Sequence, residues 1–382
     1  MRFVAPIVVC TLVIVASAGC NAGKLRTLDP EGNSIRSADV VPLLENLDVR
    51  VGEDFQSGAI DIRVPKESIS VVVTAEGQRA NLYAVGEWLD DEGKALIYEG
   101  WLGRPGNDGI CRDCINPALS NQGVLTGYLP NNKKALDFQA GIHTLKLYGT
   151  EPSKLRGSAY AKVVPRLPLS GQLDLNLYFS GIESITAESA PTDALFQQAL
   201  ETMRSIYRTT GIELGEIRYL PLPAGFEVIS DLGGGENDFM DVLQAGDPTI
   251  TSGVNIFLVS AIMEVGHDQQ ALVLGISGGI PGPFVPKRTV RSGVTVALSA
   301  AREDCEIDLE NEEYICDPQS PLDAVELGET LAHEVGHYLG LFHTVEFSGA
   351  ADPIEDTPTF ASMGFMMYPS AAGGQKISEQ QA

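Results

Sequence analysis

Short runs of hydrophobic residues, alternating in part with polar ones, dominate the first half of the chain. Seven such runs follow one another between about Val49 and Val164, and turn-forming clusters such as Arg104-Pro105-Gly106-Asn107 separate them. The runs are AIDIRV, SISVVVTAE, ANLYAVGEW, KALIYEGW, GVLTGY, GIHTLKLYG and SAYAKVV. Strands of this length and spacing predict an antiparallel β-sandwich over residues 49–164. His143 lies alone in one strand, where we expect a structural role.

The pattern changes at residues 165–171, where two prolines and a glycine interrupt the strands and mark a boundary. Beyond it, Leu173–Phe179 alternates as a strand, and residues 192–210 place apolar side chains at helical spacing. Further strand-like and helix-like segments follow: GEIRYLPL, ENDFMDVLQA, VNIFLVSAI and SGVTVAL. The Gly- and Pro-rich segment GISGGIPGPF between the last two is expected to be a loop. The pattern predicts a mixed α/β domain over residues 171–382 and an α+β protein as a whole.

The N-terminus has the layout of an export signal. One Arg precedes an apolar run from about Val4 to Val15, which is too short for a membrane-spanning helix, and small residues follow. Residues 1–20 are therefore predicted to be a signal peptide, and residues 21–48 a linker. Ser17-Ala18-Gly19-Cys20 resembles the bacterial lipobox, although Ser17 stands where that pattern has Leu. Two outcomes stay open: a cell-envelope lipoprotein attached to the membrane through lipidated Cys20, or a secreted protein.

Charge and cysteine content narrow the range of functions. The chain has 51 Asp and Glu against 26 Lys and Arg, a formal net charge of -25, which argues against a nucleic-acid partner. Outside the signal segment four cysteines remain, and an even number in an exported protein predicts disulfides. The nearest pairing joins Cys111 to Cys114 and Cys305 to Cys316. A second zinc site at Cys111 and Cys114 is the alternative, but the chain has no other CxxC to complete it.

Residues 333–343 read HEVGHYLGLFH and contain three of the five histidines of the chain. A helix is predicted from about Pro321 to Leu339, on which His333 and His337 lie one turn apart and can converge on one ion. Zinc favours neutral imidazole nitrogens, and a catalytic zinc site has three protein ligands and a position for water. Glu334 lies next to the first ligand, where it can accept a proton from a water that the metal acidifies.

Gly340 and His343 extend this HExxH pattern to HExxHxxGxxH. The chain must leave the helix sharply for His343 to return to the same ion, and a left-handed turn at Gly340 is cheap only for glycine. The predicted zinc ligands are therefore His333, His337 and His343, with Glu334 as the general base. Five positions of fixed residue type at this spacing are hard to obtain by chance, so a helix with solvated or core histidines is a poor explanation.

The extended motif resembles the signature of the metzincin metallopeptidases, in which a methionine-containing turn lies beneath the metal. Downstream, SMGFMMYP at residues 362–369 offers such a turn in two registers, with Met367 favoured over Met366. In the Met366 register, Tyr368 stands where some metzincins place a tyrosine that stabilises the transition state. The resemblance implies a metzincin-like catalytic domain and a zinc-dependent endopeptidase that acts on protein or peptide substrates.

After the third histidine the chain is most similar to the pappalysin branch, because His343-Thr344 is followed by Asp356-Thr357-Pro358. The resemblance implies that this loop binds Ca²⁺, which the spacing alone does not show. It is specific over about residues 331–370.

Two questions about function stay open at this point. A protein of a different class has the same sequence features: an exported surface lipoprotein that binds a partner or a glycan, with a vestigial metal domain. Residues 49–164 have two interpretations as well, an inhibitory pro-segment or a permanent accessory module. A free thiolate of Cys111 or Cys114 over the zinc would favour the former.

Overall fold

The structure is a computed structural model, and it describes a defined set of residues. These are 27–28, 34–35, 39–98, 119–120, 123–130, 138–164, 170–181, 185–230, 232, 238–265, 270–285, 291–301, 305–308, 313–316, 321–345, 352, 362–369, 374–379 and 381–382. Several predictions fall outside them: the signal peptide, the lipobox at Cys20, Cys111 with Cys114, and Asp356-Thr357-Pro358.

The first part of the described chain consists of strands. In chain order they are β1 (Thr27–Leu28), β2 (Ser34–Ile35), β3 (Asp39–Val51), β4 (Ile60–Val64), β5 (Ser68–Glu76), β6 (Tyr83–Leu89), β7 (Ala95–Tyr98), β8 (Leu119–Ser120), β9 (Val124–Leu129), β10 (Gly141–Gly149) and β11 (Ser153–Val163). The described residues from 39 to 164 are here called the N-terminal unit.

The N-terminal unit contains two antiparallel four-stranded sheets, with strand orders β4-β10-β6-β7 and β3-β11-β5-β9. Both sheets contribute buried residues to one hydrophobic core, which includes Trp88, Leu125 and Leu145. Alternation along β4 and β10 places every second side chain in that core, and the burial of these apolar side chains stabilises the packing of the two sheets. All seven runs predicted as strands form strands.

The strand β3 was not predicted, and it begins inside the segment assigned as a linker. Residues 39–48 pair with β11, so the linker predicted over residues 21–48 does not reach residue 48. Two features hide this strand in the sequence. Pro42 interrupts the run, and Asn46 has a φ of 54° at a point where the register with β11 shifts. Pairing with β11 decides the conformation, whereas the local pattern does not.

The second part of the chain mixes strands and helices. Its elements are β12 (Gly171–Phe179), α1 (Ala194–Arg208), β13 (Ile212–Pro221), β14 (Val228–Ile229), α2 (Asp238–Gln244), β15 (Val254–Val259), β16 (Ala261–Val265), β17 (Gln270–Leu272), β18 (Gly275–Ser277), β19 (Gly279–Ile280), β20 (Val294–Ala297), β21 (Cys305–Asp308), β22 (Glu313–Cys316) and α3 (Ala324–Tyr338). Short 3-10 helices span Ser299–Ala301 and Ser362–Gly364. The described residues from 170 onward are here called the C-terminal unit.

A five-stranded sheet organises the C-terminal unit, with the order β13-β12-β15-β20-β18. The first four strands are parallel to their neighbours, and β18 at the edge runs antiparallel to β20. Buried residues of β12, β15 and β20 form one core with α1 and α3. The α+β class is therefore confirmed, while the division of the chain into separate domains stays a prediction.

The two long helices begin at aspartate caps and lie against each other. The Asp193 side chain accepts a hydrogen bond from the first turn of α1, and Asp323 does the same for α3, which satisfies N–H groups that the helix leaves unpaired. The hydroxyl of Tyr207 in α1 donates to the carbonyl oxygen of Ala332 in α3 at 2.8 Å. The helix predicted near residues 192–210 is confirmed as α1, and the one predicted over 321–339 as α3.

The segment GISGGIPGPF, predicted as a loop, contains two short strands. Its first residues form β18, which pairs with β20, and β19 pairs with β8 of the N-terminal unit. Cys305 and Cys316 occupy opposite positions in the β21–β22 hairpin. Their disulfide stays a prediction because their side chains are outside the described part. No helix in the described ranges is both long and apolar enough to cross a bilayer.

Candidate metal centre

Helix α3 carries the first two predicted ligands. His333 and His337 lie one turn apart, with ring centroids separated by 4.7 Å. Three leucine and valine side chains of the same helix are fully buried in the core between α3, α1 and the sheet: Leu327, Leu331 and Val335. Rotating the helix would expose them to water at roughly 1.5–3 kcal/mol for each side chain. The core therefore determines the direction in which the two imidazoles point.

The turn after α3 returns the chain to the same point. Gly340 has a φ of 109°, in the left-handed region that favours glycine. Its N–H donates to the carbonyl of His337 at 2.9 Å, and the N–H of Leu341 donates to the carbonyl of Gly336 at 3.0 Å, which ends the helix. His343 then reaches the helix histidines, with its ring centroid 5.1 and 4.7 Å from theirs.

The hydrogen bonds of the rings decide which nitrogens can bind a metal. The Nδ1 atoms of His333 and His337 each lie 2.7 Å from a backbone carbonyl oxygen, that of Met366 and that of Leu341. A carbonyl oxygen only accepts, so in the neutral rings both Nδ1 atoms carry the proton and both Nε2 atoms carry a lone pair. The Nε2 of His343 lies 3.2 and 3.1 Å from these two Nε2 atoms. A proton on the Nε2 of His343 could pair with only one of these two lone pairs, whereas a cation placed between the three nitrogens would satisfy both.

Burial keeps the helix imidazoles neutral. Desolvation, together with the neighbouring His343, lowers the pKa of His333 to about 4. Desolvation, followed by the proximity of the other two histidines, also lowers the pKa of His337 well below its usual value. At pH 7 both rings are uncharged, and this is the state in which imidazole coordinates a metal.

The arrangement fits a zinc ion. The ligand atoms of the three histidines all lie within 4.8 Å of one another. Two nitrogens at the usual zinc–nitrogen distance in a tetrahedral site are about 3.3 Å apart, close to the 3.2 and 3.1 Å between the Nε2 atoms here. Neutral nitrogen donors suit zinc, whereas Ca²⁺ and Mg²⁺ prefer oxygen. The structure therefore brings together His333, His337 and His343 as a group that can hold zinc.

Glu334 is buried beside the first ligand, against the edge strand β18. A Cβ placed on Gly275 would lie 2.4 Å from the Cγ of Glu334 and 2.9 Å from its Oε1. The carboxylate therefore occupies space that a side chain at position 275 would fill. Desolvation raises the pKa of Glu334 to about 8. A carboxyl group with such a pKa can accept and release a proton near neutral pH.

The predicted methionine turn lies against α3 between the two ligands. A Cβ placed on Gly336 would be 2.7 Å from the Sδ of Met367 and 2.8 Å from the Cε of Met366. The Met366 carbonyl accepts the Nδ1–H of His333, and the Met367 carbonyl accepts the N–H of Thr344 at 2.9 Å. Both methionines are buried at this point. The choice of register between them stays a prediction.

Two further predictions remain open. Tyr368 is half-buried and its N–H donates to the carbonyl of Phe365 at 3.1 Å, but these contacts do not test a role in the transition state. Of the predicted calcium loop, Thr344 and Asp352 are described, and the N–H of Asp352 donates to the carbonyl oxygen of Thr344 at 3.3 Å, whereas Asp356-Thr357-Pro358 are not. Calcium binding therefore stays a prediction.

Sequence reasoning missed Gly275. A glycine within a strand often marks the close approach of another group, which is the signal that could have found it. That signal was hidden because the surrounding Gly and Pro residues predicted a loop. The strand exists because β20 provides its hydrogen-bonding partner.

Comparison with known proteins gives limited similarity. No protein-family model matches the chain. An extracellular metalloprotease of Podospora anserina is 44% identical over 59 residues, which cover 13% of this chain, and the chain spans 20% of the length of that relative. Among solved structures, metalloproteinase-II from Bacteroides fragilis aligns with 59% of this chain and 60% of its own, at 13% identity and a TM-score of 0.30. A TM-score this low carries no argument about the fold.

Proposed function

We propose that this chain is a zinc-dependent endopeptidase with Glu334 as its general base. The observation that carries the proposal is the convergence of the three Nε2 atoms of His333, His337 and His343, with the buried Glu334 immediately after the first ligand in the chain. Two of these nitrogens cannot carry a proton in the neutral rings, so the cluster is built for a cation. The short stretch shared with the Podospora anserina metalloprotease supports a peptidase with protein or peptide substrates.

Zinc held by the three histidines would polarise the carbonyl oxygen of the scissile peptide bond and acidify a water molecule. The chain orients its ligands through backbone carbonyls: that of Met366 holds the ring of His333, and that of Leu341 holds the ring of His337. Such outer contacts determine both the tautomer and the direction of the ring.

Glu334 moves the proton in this proposal. Its carboxylate accepts a proton from the attacking water as the new carbon–oxygen bond forms. It returns that proton to the amine nitrogen as the carbon–nitrogen bond breaks, so the residue ends each cycle unchanged. Burial raises the pKa of Glu334 to about 8, close enough to neutral pH for one group to accept and then release a proton.

The finer assignment is a metzincin of the pappalysin type, and it rests on resemblance. The extended motif, the methionine turn against Gly336 and the residues after His343 support it. Met367 or Met366 then lies beneath the metal, Tyr368 stabilises the transition state, and the loop after His343 binds Ca²⁺. We also propose export from the cytoplasm, in agreement with the extracellular relative, either as a lipoprotein attached through Cys20 or as a secreted protein.

The alternative of a binding lipoprotein with a vestigial metal domain is not favoured. The three ligands and the base are all present: the ligand atoms of the histidines lie within 4.8 Å of one another, and Glu334 is buried. A vestigial site would be expected to lose at least one of these groups.

Glu334→Gln tests the proposal, and Glu329→Gln is a matched control. Glu329 lies on the same helix with a similar burial, 7% against 6% exposed, but its Oε1 accepts a hydrogen bond from Gln375. We expect both variants to retain one zinc per chain. Glu334→Gln should lower the rate of peptide-library cleavage by at least about 100-fold, because a positioned base contributes that much or more. Glu329→Gln should cleave at the wild-type rate.

Two results would contradict the proposal. Undiminished cleavage by Glu334→Gln would show that this carboxylate is not the base. A wild-type protein that contains zinc and cleaves no peptide, with or without a chelator, would favour the binding protein.

A further inference from the structure

One tyrosine of the N-terminal unit reaches the metal centre. A Cβ placed on Gly340 would be 2.2 Å from the Oη of Tyr128, 2.8 Å from its Cζ and 2.9 Å from its Cε1. The end of the Tyr128 ring therefore fills the space where any other residue at position 340 would carry its side chain. Position 340 requires glycine for two reasons, its φ of 109° and this close approach.

The turn that Tyr128 contacts positions two groups of the metal centre. His343 follows the turn, and its position depends directly on the path of the chain through Gly340. The carbonyl of Leu341 accepts the Nδ1–H of His337 at 2.7 Å and so orients a second ligand. A small shift of this turn would move one ligand and release the ring of another.

Further contacts hold the N-terminal unit next to this turn. The segment that begins with β19 pairs with β8 and then contacts the last residue of α3. In that segment, the N–H of Gly282 donates to the carbonyl of Tyr338 at 2.9 Å, and the hydroxyl of Tyr338 donates to the carbonyl of Pro283 at 3.0 Å. Arg291 is buried and donates to the carbonyls of Gly77 and Gly123 at 3.3 and 3.0 Å. The pairing of β19 with β8 and the bonds of Arg291 connect the two units through backbone groups that are costly to leave unpaired, and the bonds of Tyr338 attach the same segment to α3.

Tyr128 belongs to a row of residues that faces the C-terminal unit. In the sheet, Val72 lies opposite both Tyr128 and Tyr160, so the three share one face. Tyr160 packs edge-on against Phe284, with ring centroids 6.5 Å apart. The two tyrosines therefore meet the C-terminal unit from the same face of one sheet, but only Tyr128 is at the turn that contains Gly340.

We propose that Tyr128 of the N-terminal unit is a positioning residue of the metal centre. Tyr128 supports the Gly340 turn from outside, so that His343 and the carbonyl of Leu341 stay in place. The inference rests on the proposed function in one respect, that zinc is the ion bound by the three histidines.

The test compares Tyr128→Ala with Tyr160→Ala in the full-length protein. Zinc affinity is measured by competition with a chelator, and the visible spectrum is recorded after cobalt replaces zinc. We expect Tyr128→Ala to weaken zinc binding by about 10-fold, as loss of a group that orients metal ligands does, and to change the cobalt spectrum. Tyr160→Ala should lower the thermal midpoint while both metal readouts stay at the wild-type values.

Two more variants complete the design. Tyr128→Phe keeps the ring and should restore zinc affinity to within about 2-fold of the wild type, since two of the three Tyr128 atoms nearest to position 340 belong to the ring. If Tyr128→Ala is insoluble, Tyr128→Leu provides the same measurement. Wild-type zinc affinity and an unchanged cobalt spectrum in a folded Tyr128→Ala or Tyr128→Leu protein would overturn the proposal, as would equal effects of the Tyr128 and Tyr160 substitutions. Because these readouts do not involve cleavage, failure of the endopeptidase proposal would be seen separately, in the Glu334→Gln assay.

Discussion

The two units of this protein each bury histidine side chains, and they use them differently. In the N-terminal unit His143 is fully buried between the two sheets. Its Nδ1 accepts a hydrogen bond from the Nε1–H of Trp88 at 3.0 Å, and its Nε2 donates to the carbonyl of Gln139 at 2.7 Å. In the C-terminal unit each helix histidine satisfies only one nitrogen with a protein acceptor, and the other nitrogen faces two more imidazoles.

This contrast shows that burial alone does not identify a metal ligand. A buried imidazole with one donor and one acceptor partner is complete, because both ring nitrogens are satisfied. At least one of His333 and His337 is incomplete by the same criterion, since both Nε2 atoms face the Nε2 of His343, which carries one proton at most. The positions of the unsatisfied lone pairs, more than the number of histidines, define the candidate site.

Replacing one histidine in each unit by alanine gives the largest expected difference between the two units, and it is a difference in zinc affinity. His337→Ala should lower zinc affinity by more than about 100-fold, because loss of a ligand exceeds the effect of losing a group that only orients one. His143→Ala should leave zinc affinity unchanged while it lowers stability by about 1–3 kcal/mol through the unpaired Trp88 N–H. Chelator competition and denaturant unfolding measure the two quantities. Equal zinc affinities in the two variants would contradict the claim that His337 binds the metal and His143 does not.

Zinc addition should stabilise the protein only where the three ligands are intact. Free zinc at 100 times its dissociation constant adds about 2.7 kcal/mol to the free energy of unfolding of a protein that binds it only when folded. We expect this increase in the wild type and in His143→Ala, and none in His337→Ala. Thermal unfolding with and without a chelator measures it. A stabilisation that survives in His337→Ala would place the ion elsewhere.

Acid should destabilise the metal-free C-terminal unit through its neutral histidines. The pKa of His333 is lowered to about 4 in the folded protein, against 6.5 as its ordinary value. The unfolded chain therefore binds more protons between these pH values, and stability is lost as the pH falls from 6.5 towards 4. At pH 5 the loss from His333 is about 2 kcal/mol. In the metal-free proteins, the free energy of unfolding of His333→Asn relative to the wild type should therefore rise by that amount from pH 7 to pH 5, as measured by urea unfolding. A difference between the two proteins that does not change with pH would contradict this prediction.

Substitution of Gly275 by alanine has the smallest expected effect, and it distinguishes the role of the base from that of the zinc ligands. Its Cβ would lie 2.4 Å from the Cγ of Glu334, so the carboxylate must move. We expect Gly275→Ala to lower kcat by about 10-fold, equivalent to roughly 1.4 kcal/mol, while the zinc content stays at the wild-type level. Gly58→Ala in the N-terminal unit is the control, because a Cβ there meets nothing within 4 Å. A peptidase rate that is the same in both variants would show that Gly275 does not position the base.

The sequence predictions are accurate where the residues of a single element carry the pattern, and they fail where a distant partner strand decides the conformation. The strands of the N-terminal unit and helices α1 and α3 were predicted because alternation and helical spacing report burial within a single element. The strand β3 was missed because Pro42 and Asn46 break its pattern, although β11 pairs along its length. The edge strand β18 was missed because Gly and Pro lower strand propensity, and only the neighbouring β20 compensates for this.

The candidate site shows the same division between local and distant information. The ligands and Glu334 were predicted from spacing because they lie on one helix and the turn that follows it. Gly275 and Tyr128 were not, since their roles depend on contacts with Glu334 and Gly340 across large separations in the chain. No pattern within either segment reports such a contact.

By itself, the sequence determined the residue types and the helical spacing at the metal centre. Two histidines one turn apart and a glycine that allows the reversal are properties of a local stretch of backbone. The tertiary structure alone decided which nitrogens carry lone pairs, because the carbonyls of Met366 and Leu341 occupy Nδ1 of His333 and His337. It also decided that Glu334 is desolvated and that a tyrosine of the N-terminal unit supports the turn. Protonation state and close packing depend on surrounding atoms that only the folded chain brings together.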